Sequence, residues 1–306
     1  MDTQFPLFIV GSGRCGTSML LKIINDFSSI AIPAESHFIP IFLKKINQYE
    51  PLTEDKNLLR LLNDIKDFPY VRDWDMDFDI HKINDQVVER TYAGVVRAIY
   101  TEFARQKGKN RWGDKTPPYL GYISDICKLF PDARFLHIVR DGRDCALSVI
   151  KCNWGPNNIY KAAVWWRDSL LKGEVELEKC KTMVDDINSI YLEVRYEDIL
   201  TNPEKLLKEV FDFIHEPFDK ELLSKLKIKT NNKFKWKSKM CIKCQKVFEQ
   251  VAGDMLDKFN YPRAFKELSP ISPILEYYYL FDNRIKSINN IWWDIKRIIQ
   301  GTMNPK

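Results

Sequence analysis

The sequence has no strong excess of charge of either sign. Lys and Arg total 47 against 42 Asp and Glu, which gives a net charge of +5 at neutral pH. A chain that coats nucleic acid is usually far more basic, so we expect no nucleic-acid partner, whereas a mild positive charge suits a small anionic ligand. Hydrophobic residues make up 45% of the 306 residues. This composition is sufficient for a sizeable core and excludes wholesale disorder.

Long apolar runs, internal repeats and linkers rich in Pro, Gly and Ser are also missing. MDTQFPLFIV has no basic region ahead of a long apolar stretch, so we expect neither a secretion signal nor a membrane-spanning segment. The seven cysteines are an odd number spread along the chain, unlike the dense, even sets of secreted disulfide scaffolds. We therefore expect a reducing, cytoplasmic location. We also expect one domain over residues 1–306, with residues 270–306 as a helical extension packed on it.

Apolar runs that end in polar turns alternate with helical patterns. FPLFIV (5–10) precedes a Gly-rich turn, RFLHIV (134–139) precedes RDGRD, and SIYLEV (189–194) is a third strand candidate. Apolar residues at spacings of three and four predict a helix that starts near Gly16, and the segments 85–107 and 159–184 have helical periodicity. This alternation predicts an α/β fold, a P-loop-like, mostly parallel sheet with helices on both faces.

The turn after the first strand fits two nucleotide-binding patterns. GSGRCG (11–16) has the spacing G-x-G-x-x-G, and Glu35 follows nineteen residues after the last glycine, as in a dinucleotide-binding unit. The intervening IAIPAE is, however, a poor second strand because Pro33 breaks it. Gly11–Ser18 also fits a phosphate loop in which Thr17 replaces the usual lysine, and an ATPase would need that lysine. Both patterns direct backbone N–H groups and a helix N-terminus at one anionic group, with Arg14 adding charge.

A second anion site is predicted after the RFLHIV strand. Arg140 ends this strand and Ser148 lies eight residues later, near the second turn of the next helix. Both are therefore expected on the carboxyl side of the sheet, where open α/β folds bind ligands. An arginine and a hydroxyl are suitable donors to phosphate. Two such sites predict a ligand with phosphates at both ends.

Four blocks of the sequence resemble the sulfotransferases that use 3′-phosphoadenosine 5′-phosphosulfate (PAPS). FIVGSGRCGTSMLL resembles their 5′-phosphosulfate loop, with Cys15 at the first Ser position, and RFLHIVRDGRDCALSV resembles their 3′-phosphate segment. WGDKTPPYL is similar to their Lys-Thr-Pro motif, and VRYEDILTNPEKLL to their Tyr-Glu-Asp stretch. The likeness is to the protein-tyrosine and carbohydrate branch, in which a catalytic glutamate follows the loop arginine by twenty-one residues. Here that position is Glu35.

The resemblance implies a role for each matched residue. Glu35 would be the general base, and Arg14 and Lys115 would contact the transferring group. Tyr196 would help to hold the nucleotide, and no metal would be required. The expected nucleotide-binding residues are Gly11, Gly13, Arg14, Cys15, Gly16, Thr17, Ser18, Arg140, Ser148 and Tyr196. The acceptor would be a hydroxyl or amine on a carbohydrate, a peptide tyrosine or a small molecule.

Two other enzyme or binding functions remain open. The first is a P-loop phosphotransferase such as a kinase, which should need Mg²⁺ and a loop lysine. The second is a non-catalytic module that binds adenosine 3′,5′-bisphosphate.

Three further features of the sequence are less specific. Nine lysines between Lys225 and Lys246 form a basic run without an acid, Cys241 and Cys244 have the spacing of half a zinc site without a second pair, and the C-terminal helix has an apolar face. That face, with Ile285, Ile288, Trp292, Ile295 and Ile299, packs on the domain or contacts a membrane surface.

Overall fold

The computed structural model describes residues 5–220, 223, 226, 233–265 and 267–299. For residues 289–299 it describes the backbone only. The chain divides into two compact units. The first consists of Met1–Val139 and Leu171–Lys229, and the second of Arg140–Leu170 and Thr230–Lys306. The prediction of a single domain with a packed extension at 270–306 stays a prediction.

The first unit contains a parallel sheet of five strands in the order β2-β3-β1-β4-β5. The strands are β1 (Leu7–Gly11), β2 (Ile30–Ala31), β3 (Arg111–Lys115), β4 (Arg134–Val139) and β5 (Tyr191–Arg195). Ile9 in the central strand is in register with Lys115 on one side and with Leu136 on the other. Because parallel neighbours need long crossover connections, helices must separate these strands in the chain. The prediction of an α/β fold on a mostly parallel sheet is confirmed.

Helices fill the connections between the strands and make up the described elements of the second unit. In chain order they are α1 (Thr17–Phe27), α2 (Phe38–Leu43), α3 (Asp55–Lys66), α4 (Pro69–Arg72), α5 (Ile80–Gln86), α6 (Tyr92–Gln106), α7 (Ile123–Leu129), α8 (Gly142–Val149), α9 (Ile159–Lys181), α10 (Tyr196–Thr201), α11 (Pro203–Phe213), α12 (Trp236–Lys239), α13 (Ile242–Lys258) and α14 (Pro273–Ile299). Short 3₁₀ turns cover Ile46–Gln48, Pro117–Tyr122 and Ile187–Ser189.

An aromatic cluster forms the core of the first unit. Phe8, on the fully buried strand β1, packs against Trp112, Phe130 and Phe135. Tyr100 stacks on Trp112 with ring centroids 4.7 Å apart. Aromatic pairs in such arrangements contribute beyond the apolar area that they bury. The core therefore fixes strands β1, β3 and β4, whose carboxyl ends carry predicted site residues.

The segment 67–79 contributes buried residues to the core. Its mixture of acidic and aromatic residues favours an excursion over the surface, but Val71, Trp74 and Phe78 are buried. Trp74 packs against Tyr100 in the aromatic core, with centroids 5.2 Å apart. Trp74 and Phe78 therefore belong to the core, whereas Tyr70 and the acidic residues of this segment are exposed.

A buried arginine organises the second unit. Arg143 on α8 is fully buried, and its guanidinium binds the carboxylates of Asp141 and Glu249 at 2.8 and 2.7 Å. Its planar group also lies 3.5 Å from the ring centre of Trp236. A buried guanidinium needs partners for its charge and its donors. The ion pair with Glu249 therefore joins α13 to α8.

Helix α14 contacts the start of α9 and the residues just before it, within the same unit. The backbone N–H of Asn157 donates to Asn283, and the hydroxyl of Tyr160 donates to Glu276 at 2.6 Å. The side chains of Trp292, Ile295 and Ile299 lie outside the described residues. Among the residues described, no helix is both long and apolar enough to cross a membrane.

Candidate active site

The Gly-rich turn joins β1 to α1 through a series of left-handed residues. Gly13, Arg14 and Gly16 have φ values of 77°, 55° and 106°. A side chain at Gly16 would be strained by this φ and would also meet the ring of Tyr196, 2.3 Å from the position of its Cβ. Arg14 adopts a conformation that is uncommon for a residue with a side chain, and such conformations concentrate at functional sites. The turn is thus built as a concave backbone loop.

The loop ends at the N-terminus of α1. Gly16 is the N-cap of α1, and no side chain in the described part of the chain caps that end of the helix. The first N–H groups of a helix lack partners within the helix, so this end attracts negative charge. Arg14 and Ser18 are exposed, whereas the side chain of Cys15 is buried. The Sγ of Cys15 packs beside Gly11, in the space that a side chain at Gly11 would need.

Glu35 and Lys115 come together from distant parts of the sequence. Lys115 is the last residue of β3 and lies beside Ile9 of β1, close to the point where β1 leads into the loop. Its Nζ donates to Oε1 of Glu35 at 2.6 Å. Lys115 is buried, whereas the side chain of Glu35 is 38% exposed. A carboxylate held in this way remains accessible to an acceptor molecule.

His37 contacts the second oxygen of the same carboxylate. Its Nε2 lies 3.2 Å from Oε2 of Glu35, and its backbone φ is 54°. Burial raises the pKa of Glu35, but the hydrogen bonds from His37 and Lys115 outweigh burial, so the pKa is lowered overall. Glu35 is therefore a carboxylate at neutral pH, the form that can accept a proton. The ring of Tyr70 packs on His37 with centroids 4.2 Å apart.

A buried hydroxyl network fixes the backbone next to Glu35. Thr116 accepts a hydrogen bond from the backbone N–H of Ser36 at 2.9 Å, and the hydroxyls of Ser36 and Tyr119 lie 2.7 Å apart. Tyr119 also accepts a hydrogen bond from the N–H of Ile39 on α2. The sequence alone did not indicate this positioning role of Ser36, Thr116 and Tyr119. The signal for two of them was the WGDKTPPYL block, which contains Thr116 and Tyr119.

Tyr196 lies beside the Gly-rich loop. It is the first residue of α10, directly after β5, and it is buried. Its ring occupies the space beside Gly16 that a Cβ would need. The first unit therefore brings together the loop residues 11–18 with Tyr196, and Glu35 with Lys115 and His37.

Arg140 and Ser148 belong to the second unit. Arg140 directly follows β4, and Ser148 lies near the end of α8. Nη2 of Arg140 is 3.5 Å from Oδ2 of Asp144, a buried carboxylate on the same helix. Asp144 also accepts the backbone N–H groups of Lys235 and Trp236, at 3.3 and 2.8 Å. Burial is the main cause that raises the pKa of Asp144. The assignment of Arg140 and Ser148 to a phosphate stays a prediction.

Metal-ligating side chains do not cluster in the part of the chain that the structure describes. No group of three or more His, Cys, Asp or Glu residues there is arranged to hold a metal ion. Cys241 and Cys244, which have the spacing of half a zinc site, are joined as a disulfide. Cys127 and Cys180 form a second, buried disulfide in the first unit.

Comparisons with known proteins agree on one family. The model of the sulfotransferase family matches residues 6–220. Protein-tyrosine sulfotransferase 1 of Danio rerio is 23% identical over 225 residues, which cover 72% of this chain and 56% of that protein. The protein-tyrosine sulfotransferase of Drosophila melanogaster is 23% identical over 228 residues, which cover 72% and 40%. The chain thus matches about half the length of these relatives.

Two solved structures share the fold. The sulfotransferase domain of the Synechococcus PCC 7002 olefin synthase has a TM-score of 0.54 and 21% identity, over 86% of this chain and 98% of that domain. The sulfotransferase domain from the curacin biosynthetic pathway has a TM-score of 0.51 and 16% identity, over 85% and 99%. At these identities the likeness concerns the fold alone. Because the family model covers more than half of the chain, this protein belongs to the sulfotransferase family of enzymes.

Proposed function

We propose that the protein transfers the sulfuryl group of PAPS to a hydroxyl or amine of an acceptor, with Glu35 as the general base. The observation that carries this proposal is the 2.6 Å contact between Glu35 and Lys115. It places a carboxylate that can accept a proton next to a cation that can neutralise a leaving group. General-base catalysis of this kind typically contributes ~10²–10⁴ in rate.

Each of these residues has a separate role in the proposed transfer. Glu35 accepts the proton of the acceptor while the acceptor oxygen forms its bond to sulfur. The bond between sulfur and the 5′-phosphate oxygen breaks, and Lys115 and Arg14 stabilise the charge that develops on this oxygen. The loop of residues 11–18 holds the 5′-phosphate through its N–H groups. Positioning and fixed charges supply the catalysis, as in phosphoryl transfer, without a required metal.

Binding of the nucleotide is assigned to three further residues. Arg140 and Ser148 hold the 3′-phosphate in this proposal, and Tyr196 contacts the nucleotide next to the loop. The support for Arg140 and Ser148 is their spacing after β4 together with the resemblance of that segment. The support for Tyr196 is its packing against Gly16.

The acceptor is proposed to carry a hydroxyl group. A tyrosine peptide is the first acceptor to test, because proteins similar to this chain are named protein-tyrosine sulfotransferases. The half-exposed ring of Tyr70, packed on His37, gives an aromatic surface near the base and suits an aromatic acceptor. Carbohydrates, phenols and lipids are the other acceptors to test.

A cytoplasmic location of the protein also remains a proposal.

The test is transfer of label from PAPS to each acceptor class. Wild-type protein should label at least one acceptor, and Lys115→Ala should lower kcat by about 10²-fold, the cost of removing one donor that stabilises transition-state charge. Lys181→Ala is the matched control, because Lys181 forms an exposed pair with Glu178 at 2.6 Å. Equal losses in both variants, or transfer from ATP in place of PAPS, would contradict the proposal.

Ligand-induced stabilisation separates this proposal from its rivals. Adenosine 3′,5′-bisphosphate should raise the melting temperature more than ATP or NAD at equal concentration, because a ligand that binds the native state stabilises it by mass action. Preference for ATP would favour a phosphotransferase. Binding of the bisphosphate without turnover on any acceptor of the panel would favour a non-catalytic binding module.

We also propose a peripheral membrane contact through α14. One side of this helix binds the segment 157–160, while the other side carries exposed apolar residues at helical spacing. These are Ile274, Tyr277, Tyr278, Phe281, Ile285 and Ile288. The exposed cations Arg284 and Lys286 suit anionic lipid headgroups. Wild-type protein should sediment with vesicles that contain phosphatidylserine, and the double variant Phe281→Glu, Ile285→Glu should not. Equal sedimentation of both proteins would contradict the contact, as would a dimer formed through this face.

A further inference from the structure

Two disulfides of this protein differ in their exposure to solvent. Cys127 and Cys180 are both buried, and 53 residues separate them in sequence. Cys241 and Cys244 are separated by three residues, Cys241 is exposed and Cys244 is half-buried. Exposure gives a thiol in solution access to the second pair only. The two pairs should therefore differ in how readily they exchange with external thiols.

The exposed pair also lies in a position that favours a thiolate. Cys241 is the N-cap of α13, a helix of 17 residues, and its Sγ accepts the backbone N–H of Cys244 at 3.2 Å. This hydrogen bond and the N-terminal end of the helix both stabilise a negative charge on sulfur. Residues 233–248 contain six lysines and no acidic residue. These cations favour the same charge.

The exposed disulfide contributes little to holding the fold together. A cross-link stabilises a protein mainly by restricting its unfolded chain, and this effect grows with the length of the closed loop. The Cys241–Cys244 loop is very short, whereas the Cys127–Cys180 loop is long. The segment next to the pair has other anchors, because Lys235 and Trp236 bind Asp144 and the side chain of Gln245 donates to the carbonyl of Met240.

We propose that Cys241 and Cys244 form a reversible thiol–disulfide exchange site for dithiol reductants and disulfide oxidants. In reduction, a thiolate of the dithiol attacks Sγ of Cys241, the more exposed residue of the pair, and Cys244 leaves as a thiolate. The second thiolate of the reductant then attacks its own sulfur in the mixed disulfide and releases Cys241. The protein disulfide gains two electrons and two protons, and the dithiol becomes a disulfide. This inference does not depend on sulfuryl transfer.

The experiment titrates the full-length, air-oxidised protein with dithiothreitol. Aliquots are quenched with acid, alkylated, and analysed by peptide mass spectrometry at all four paired cysteines. The Cys241–Cys244 pair should be half reduced at a reductant concentration at least ~10-fold below that for Cys127–Cys180, and removal of the reductant should restore it. Reduction of both pairs together, or reduction only after unfolding in urea, would overturn the proposal. So would the recovery of Cys241 and Cys244 as thiols from air-oxidised protein.

Single variants test which sulfur is reactive. In a Cys152→Ser background, which removes the half-buried thiol of Cys152, Cys244→Ser leaves Cys241 as the thiol and Cys241→Ser leaves Cys244. The thiol of Cys241 should be alkylated at least ~10-fold faster than that of Cys244 at neutral pH, because the N-cap position stabilises its thiolate. Equal rates, or a faster Cys244, would contradict the assignment. Circular dichroism of both variants confirms that they fold.

Discussion

The ammonium of Lys115 donates a 2.6 Å hydrogen bond to Oε1 of Glu35 across 80 residues of sequence. Oε2 of the same carboxylate lies 3.2 Å from His37. Both oxygens of the proposed base therefore have partners that stabilise its charged form. Each oxygen keeps a further lone pair, with which the exposed carboxylate can accept the proton of an acceptor hydroxyl.

This arrangement predicts the pH dependence of the reaction. Because the pKa of Glu35 is lowered from its ordinary 4.5, the carboxylate persists to a lower pH than in the unfolded chain. Its contribution to stability is thus present above the unfolded pKa and is lost as the pH falls through the lower, folded pKa. The acid limb of kcat/KM that belongs to Glu35 should lie below pH 4.5.

Replacement of His37 tests this dependence. His37→Asn removes a hydrogen bond that lowers the pKa of Glu35 and leaves the opposing effect of burial, so the acid limb should move to higher pH. His81→Asn is the control, because His81 is an exposed residue of α5. An unchanged limb in the His37 variant would show that His37 does not tune the base.

Arg140→Ala should weaken nucleotide binding more than it slows the chemical step, because the 3′-phosphate is remote from the sulfur. Loss of a charge-assisted hydrogen bond costs about 1.5–3 kcal/mol of affinity. Ser148→Ala should act in the same direction with a smaller effect. Calorimetry with adenosine 3′,5′-bisphosphate and adenosine 5′-phosphate measures the difference. If wild-type protein bound both nucleotides equally, the assignment of a 3′-phosphate site would fail.

Turnover should persist in excess EDTA, because Arg14 and Lys115 neutralise the transferring group in the proposed reaction. Initial rates with any acceptor that turns over are sufficient for this test. Complete loss of activity, restored by added Mg²⁺, would instead favour the phosphotransferase.

Glu249→Ala should strongly destabilise the second unit. It leaves the fully buried Arg143 with one carboxylate in place of two and removes the acceptor of the N–H groups of Ala264 and Phe265. Breaking a buried ion pair from one side costs about 3–5 kcal/mol. Asp212→Ala, at the exposed pair with Lys208, should cost at most about 1 kcal/mol. Urea unfolding followed by far-UV circular dichroism compares the two, and similar midpoints would contradict the structural role of Glu249.

Three of the five strands could be predicted from the sequence because each is a short, largely apolar run that ends at a Gly-rich or polar segment. Strand β3, RWGDK, is not an apolar run, because three of its five residues are charged. These charged side chains can be buried because each has a partner elsewhere in the chain. Arg111 pairs with Glu216, the carboxylate of Asp114 accepts the hydroxyl of Tyr100, and Lys115 pairs with Glu35. Strand β2 is only two residues long and binds the edge of β3. These pairings join segments far apart in sequence, which leaves no local pattern.

The site shows the same division between local pattern and long-range packing. The loop of residues 11–18 could be predicted because its glycines follow from local backbone geometry, whereas the roles of Glu35 and Lys115 were implied by the resemblance of their segments to the sulfotransferases. The hydroxyl network of Ser36, Thr116 and Tyr119 was not predicted, because it joins side chains about 80 residues apart. The contact of His37 with Glu35 was not predicted either.

The most direct test of the central claim is the kcat of Glu35→Gln with PAPS and a competent acceptor, measured beside its affinity for adenosine 3′,5′-bisphosphate. The amide keeps the shape of the side chain but cannot serve as a base. The proposal predicts that kcat falls by at least ~10²-fold while the affinity stays unchanged. Near-normal kcat would remove Glu35 from the mechanism and make His37 the next candidate for the base. Weaker nucleotide binding with intact chemistry would instead assign Glu35 to the nucleotide.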